Sequence, residues 1–259
     1  MNYNTTSSGD IFLEIEAFYA VITIYHPASN SMPFYLLKRL ADTITDLEQN
    51  KAIKLILLKS KGDRAFCAGA SFDELLTIET PKQGSEFFSG FAKVILSIKQ
   101  STKLVIARVQ GKAVGGGVGL IAACDYVFAT ESASIKLSEL AIGIGPFVIE
   151  PALRRKIGLQ ATTHLTFNPT EWESSQWAKD KGLFNQVFSN QINMDQAIQT
   201  FIENYKTYSI EAIKLIKKVT WSQTEHWEQL LMERASISGQ LVLSHQTKAI
   251  LNRFKNNNK

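Results

Sequence analysis

Apolar and polar positions alternate between two periods over the first half of the chain. Phe18 to Tyr25 (FYAVITIY) is a β-branched and aromatic run, which predicts a strand. Pro27, Ala28, Ser29 and Asn30 break it. Phe34, Leu36, Leu37, Leu40, Ile44 and Leu47 then fall on one face of a helix. Ile53 to Leu58 predicts a buried strand, Ser60 to Asp63 a turn, Ser85 to Ile98 a helix and Leu104 to Val109 another strand. The triplet Gly115, Gly116, Gly117 precedes an apolar helix from Val118 to Ala123, and short strands are predicted at Tyr126–Ala129 and Ala133–Leu137. Alternating strands and helices imply an α/β layered fold. From Pro151 the pattern is helical, with helices predicted at 151–157, 173–181, 193–205, 210–219 and 224–243. The expected organisation is an α/β core over 1–199 and a helical subdomain over 200–259.

Composition narrows the function classes. At 259 residues, 45% hydrophobic and 20% charged, the chain can bury a sizeable core, and bulk disorder is excluded. Its uncharged run Ala113 to Cys124 is shorter than the ~18 residues of a spanning helix, so no membrane partner is expected. Asp10, Glu14 and Glu16 give no signal-peptide pattern, and Cys67 and Cys124 are too few for a disulfide framework; a cytoplasmic location is the expectation. His26, His164, His226 and His245 lack ligand spacing, so no metal is expected. A net charge of +4, carried partly by a tail at 252–259 expected to fray, comes without basic runs interleaved with aromatics, so no nucleic acid is expected. Trp221 to Trp227 is expected to be helix packing.

Two small-residue segments carry the candidate chemistry: Arg64 to Phe72 (RAFCAGASF) and Gly111 to Gly119 (GKAVGGGVG). Both leave main-chain N–H groups open to a ligand. The second opens a helix, whose first amides lack partners and favour negative charge. It matches neither a dinucleotide fingerprint nor a P-loop.

Together with AVITI at 20–24, HPASNSM at 26–32, ACDYVFAT at 123–130 and SELAIGIGP at 138–146, these segments resemble the crotonase superfamily, the enoyl-CoA hydratases and isomerases, over nearly the whole chain. The resemblance implies a ClpP-like spiral of ββα units with a helical C-terminal trimerisation subdomain, a homotrimer or hexamer, and an acyl-coenzyme A thioester as substrate, with no further cofactor. It implies an oxyanion hole from the amides of Ala70 and Gly116. It places coenzyme A near Ala28, Ser29, Ser31, Ala68, Ala70, Ser71, Phe72, Gly116 and Gly119. Donors aimed at the thioester oxygen stabilise an enolate, and one such donor is typically worth about 2.7–4 kcal/mol.

The family's hydratases use two glutamates. One matches Glu139; the other position is Gly119 here. Gly116 and Gly119, three apart at a helix start, share a face, so a carboxylate at 119 would point into the pocket, and glycine is expected to leave space there. Hydration divides its proton transfers between two carboxylates, whereas one suffices to move a double bond from C3 to C2. The expected activity is therefore a Δ3,Δ2-enoyl-CoA isomerase with Glu139 as base and acid. Alternatives are a hydratase, with Glu150, Asp73 or Glu74 as a substitute acid, a dehydratase or decarboxylase on acyl-carrier-protein thioesters, and an idle acyl-CoA-binding protein. Lys112, Arg154, Arg155 and Lys156 are candidate phosphate contacts.

Overall fold

The computed structural model of the chain describes residues 8–257. It opens with a hairpin, β1 (Asp10–Ile15) antiparallel to β2 (Tyr19–Tyr25), followed by α1 (Phe34–Asp46). Three strand pairs come next, each leading to helices: β3 (Leu55–Ser60) and β4 (Ala65–Cys67) to α2 (Phe72–Thr77) and α3 (Pro81–Gln100); β5 (Leu104–Val109) and β6 (Lys112–Val114) to α4 (Gly116–Ala123); β7 (Tyr126–Thr130) and β8 (Ser134–Lys136) to α5 (Glu150–Phe167). A two-residue β9 (Glu173–Ser174), α6 (Ser175–Asp180) and β10 (Gln186–Phe188) follow. Helices α7 (Gln191–Tyr205), α8 (Ile210–Thr220), α9 (Trp227–Leu241) and α10 (His245–Asn257) complete the order.

The first strand of each pair joins a six-stranded sheet ordered β1-β2-β3-β5-β7-β10, and the second a four-stranded sheet ordered β4-β6-β8-β9. β4, β6 and β8 run parallel, so the loops after them emerge side by side at one edge. This is the expected ββα spiral. β2, β3, β5 and β7 are buried nearly throughout, which explains their continuous apolar runs. α3 begins with a capping box, Thr80 and Gln83 exchanging side-chain and backbone bonds, with Pro81 in its first turn.

Several boundaries differ from the sequence expectation. β1, β4, β6, β10, α2 and α10 were not expected as elements; the strands among them are short or alternate weakly. The helix expected at 151–157 extends to Phe167, across non-helical Gly158 (φ 76°). The helix expected at 173–181 begins as β9. Residue 200 lies inside the unbroken α7. α9 packs its Leu231 and Ala235 against α3, and Ser85 Oγ meets Ser236 Oγ at 3.1 Å. Trp221 and Trp227 are both buried, edge to face at 5.7 Å. In the tail the backbone is helical to Asn257, and 258–259 lie outside the described residues.

α8 is tied down through polar groups. Buried Lys217 meets Asp125 at 2.8 Å and the Lys103 carbonyl at 2.7 Å, while Trp221 Nε1 donates to Asp125 at 2.9 Å. Among the described residues no helix is long and apolar enough to cross a membrane.

Candidate active site

The small-residue segments run through β4 and β6, adjacent parallel strands, so Ala70 and Gly116, far apart in sequence, come to one edge. The Gly116 amide nitrogen lies 3.5 Å from where a Cβ on Gly69 would stand. A third contribution comes from β8, two residues before Ser138 and three before Glu139. The three loops, with helices packed on them, line a half-open cavity of about 50 Å³. Its rim and walls include Ala68, Ala70, Phe72, Gly115, Gly116 and Glu139.

Ala70 and Gly116 both line this cavity, and neither amide has an acceptor among the described residues. Gly116 opens α4, where a first-turn amide has no intrahelical partner. Ala70 is bracketed by two bonds that turn its neighbours the other way: Met32 N donates to the Gly69 carbonyl at 2.7 Å, and Ser71 N to the Met32 carbonyl at 3.3 Å.

Among the described residues, Glu139 is the sole ionisable one lining the cavity. Its main chain is fixed by the Ile142 and Ile144 amides, which donate to its carbonyl at 3.2 and 3.0 Å. Its carboxylate rests against Gly115, whose φ is 51°; a Cβ there would stand 2.6 Å from Glu139 Oε1. Only glycine meets both conditions. Glu139 Oε2 is buried without a hydrogen-bond partner among the described residues. Desolvation pushes the carboxyl up to about 7, partly offset by a bond from its own amide. A carboxyl so poised can both take and return a proton near neutral pH.

Gly119 does not leave the expected space. It is buried behind the wall and does not line the cavity; Ile149, at the start of α5, fills the seat. A Cβ on Gly119 would stand 2.2 Å from Ile149 Cγ2 and 2.6 Å from its Cβ. The substitute acids are also elsewhere, and none lines the cavity. Glu150 faces Arg234 at 4.0 Å. Glu74 accepts from the Phe34 amide at 2.7 Å, burial raising its carboxyl. Asp73 sits in the first turn of α2, which Ser71 caps.

Of the other expected contacts, Ala68 and Phe72 line the cavity, whereas Ala28, Ser29 and Ser31 lie in the turn bonded to that edge, and Ser71 caps α2, outside the lining. Ala68 N donates to the Ser29 carbonyl at 3.1 Å, and Ser31 Oγ meets His26 Nδ1 at 3.0 Å. Asn30 anchors the turn through Nδ2, donating to the Lys61 and Ala65 carbonyls at 2.8 and 3.0 Å. The candidate phosphate contacts are not at the cavity: Lys112 lies over Trp172, Arg155 over Trp221, and Lys156 donates to the Cys124 carbonyl at 2.5 Å. Arg154 is exposed and outside the lining.

A profile of the family described as enoyl-CoA hydratase/isomerase matches residues 14–256. The chain belongs to the enoyl-CoA hydratase/isomerase family. The chain is 31% identical over 180 residues to a short-chain-enoyl-CoA hydratase of Clostridium acetobutylicum, covering 69% of this chain and 68% of that one. It is 29% identical over 193 residues to a peroxisomal Δ(3,5)-Δ(2,4)-dienoyl-CoA isomerase of Arabidopsis thaliana, covering 69% and 67%. Its fold matches the crystal structure of an enoyl-CoA hydratase from Bacillus halodurans with a TM-score of 0.87 at 23% identity, over 94% of this chain and 99% of that one.

This member of the enoyl-CoA hydratase/isomerase family completes its cavity with residues that sequence reasoning did not single out. Phe88 and Phe91 come from α3, Ile142 and Ile144 from the loop after Glu139, Phe147 and Ile149 from the approach to α5, and Ser238 from α9. Phe87, Phe88 and Phe91 were legible as an aromatic face. Ser238 carried no local signal.

Proposed function

We infer that the protein shifts the double bond of a 3-enoyl-CoA to the 2-enoyl-CoA, with Glu139 as the single proton carrier. The observation that carries this reading is that Glu139 is the one acid, and the one charged group, among the described residues lining the cavity. Its carboxylate takes a proton from C2; the electron pair spreads onto the thioester oxygen, held by the Ala70 and Gly116 amides. The same carboxyl returns the proton to C4 as the C2=C3 bond forms. Walls built of Phe, Ile, Leu and Val favour hydrocarbon acyl groups over carboxylated ones, because among the described residues no Lys, Arg or His lines the cavity to meet a second charge.

Hydration is the second reading, favoured by the hydratase names among the relatives. One assay separates the two. The protein is incubated with a 3-enoyl-CoA and, separately, a 2-enoyl-CoA, and the conjugated thioester is followed by absorbance. Appearance with the first and no loss with the second is expected. Loss with the second establishes hydration, and binding without turnover of either establishes a non-enzymic acyl-CoA-binding protein. Acyl-carrier-protein thioesters in parallel identify the carrier. The expected trimer belongs to the same reading and is tested by sedimentation equilibrium.

A further inference from the structure

We propose that Ile149 is the residue that sets the reaction outcome, by occupying the seat a side chain at 119 would need and keeping water from that wall of the cavity. The proposal rests on the isomerase reading and deepens it. Adding water across C2=C3 places hydroxyl on C3 and a proton on C2, so it needs an ordered water and a second proton carrier. Gly119 removes the carrier. Ile149 removes the room for both: its side chain is 3% exposed, lies against Gly119 and faces the cavity with hydrocarbon. Its backbone is pinned, with its amide donating to the Pro146 carbonyl at 3.2 Å and its carbonyl accepting from Leu153 N at 3.1 Å, so the side chain cannot retreat with the chain.

Restoring a glutamate at 119 is therefore not sufficient. The clash involves Ile149 Cβ as well as Cγ2, so Ile149→Ala leaves it in place and Ile149→Gly removes it. The expected result is that Gly119→Glu, alone or with Ile149→Ala, hydrates a 2-enoyl-CoA no faster than the wild type. Gly119→Glu with Ile149→Gly is expected to hydrate it at least tenfold faster than either single variant. A thermal-denaturation cycle tests the packing without catalysis: Gly119→Ala should lower Tm in the wild-type background and much less in the Ile149→Gly background. A folded Gly119→Glu single variant that hydrates overturns the proposal. So does a folded Gly119→Glu, Ile149→Gly variant that hydrates no faster than the single variants, or a Gly119→Ala effect equal in both backgrounds. Failure of the wild type to shift a 3-enoyl-CoA would instead overturn the isomerase reading, leaving the Tm cycle to report on the seat itself.

Discussion

Two glycines, Gly115 in the cavity wall and Gly119 behind it, leave room that the structure fills with opposite chemistry. At Gly115 the absent side chain is replaced by the carboxylate of Glu139; at Gly119 it is replaced by the hydrocarbon of Ile149. The first seat holds an acid, and the second is apolar. A glycine in a motif therefore announces only a close approach. What approaches is decided by a distant residue, which here arrives from the loop after β8 or from the start of α5.

The largest effect should come from the first seat. Glu139→Gln is expected to lower kcat for double-bond migration roughly 10²–10⁴-fold, read by steady-state kinetics on a 3-enoyl-CoA. Retention of most activity would show that another group moves the proton. Gly115→Ala should come next: the added Cβ displaces the carboxylate from a left-handed position, and a loss of about 10²-fold is expected in a folded protein.

The pH profile sharpens the same comparison. With Glu139 titrating at about 7, kcat/KM should rise through that pH and level off above it, dropping about tenfold for each pH unit well below. Stability should run the other way. The unfolded chain releases this proton near 4.5 and the folded chain holds it to about 7, so stability falls as pH rises through that window and stays lower above it. Glu139→Gln should therefore be more stable than the wild type by about 1–3 kcal/mol at pH 8, a margin that vanishes near pH 4.5 in denaturant titrations. The smallest effect is expected from Thr247→Val, which removes a 3.1 Å bond to the Gly143 carbonyl in the loop carrying Glu139. A loss of about 1 kcal/mol and a slight fall in kcat should result.

The scaffold was more legible than the site. β2, β3, β5 and β7 are buried on both faces and read as apolar runs, and α1 shows its stripe in plain periodicity. β4, β6 and β8 are three residues each, too short to show a period, yet their ends carry the amides and the carboxylate. Of these strands only β8 was expected from the pattern, and the roles of Ala70, Gly116 and Glu139 were expected from the resemblance to a family. Gly119 was read as vacant because its occupant lies thirty residues further on, and nothing local marks Ile149 as its partner. Glu150 was considered for its charge, whereas it is its neighbour Ile149 that lines the cavity.

Ser238, on α9, belongs to the cavity wall, and Thr247, on α10, tethers the loop behind it. The surroundings of the two amides and the acid thus draw on helices that lie far along the chain from β4, β6 and β8. Substitutions on these two helices can therefore reach the loop of Glu139 without touching either glycine segment.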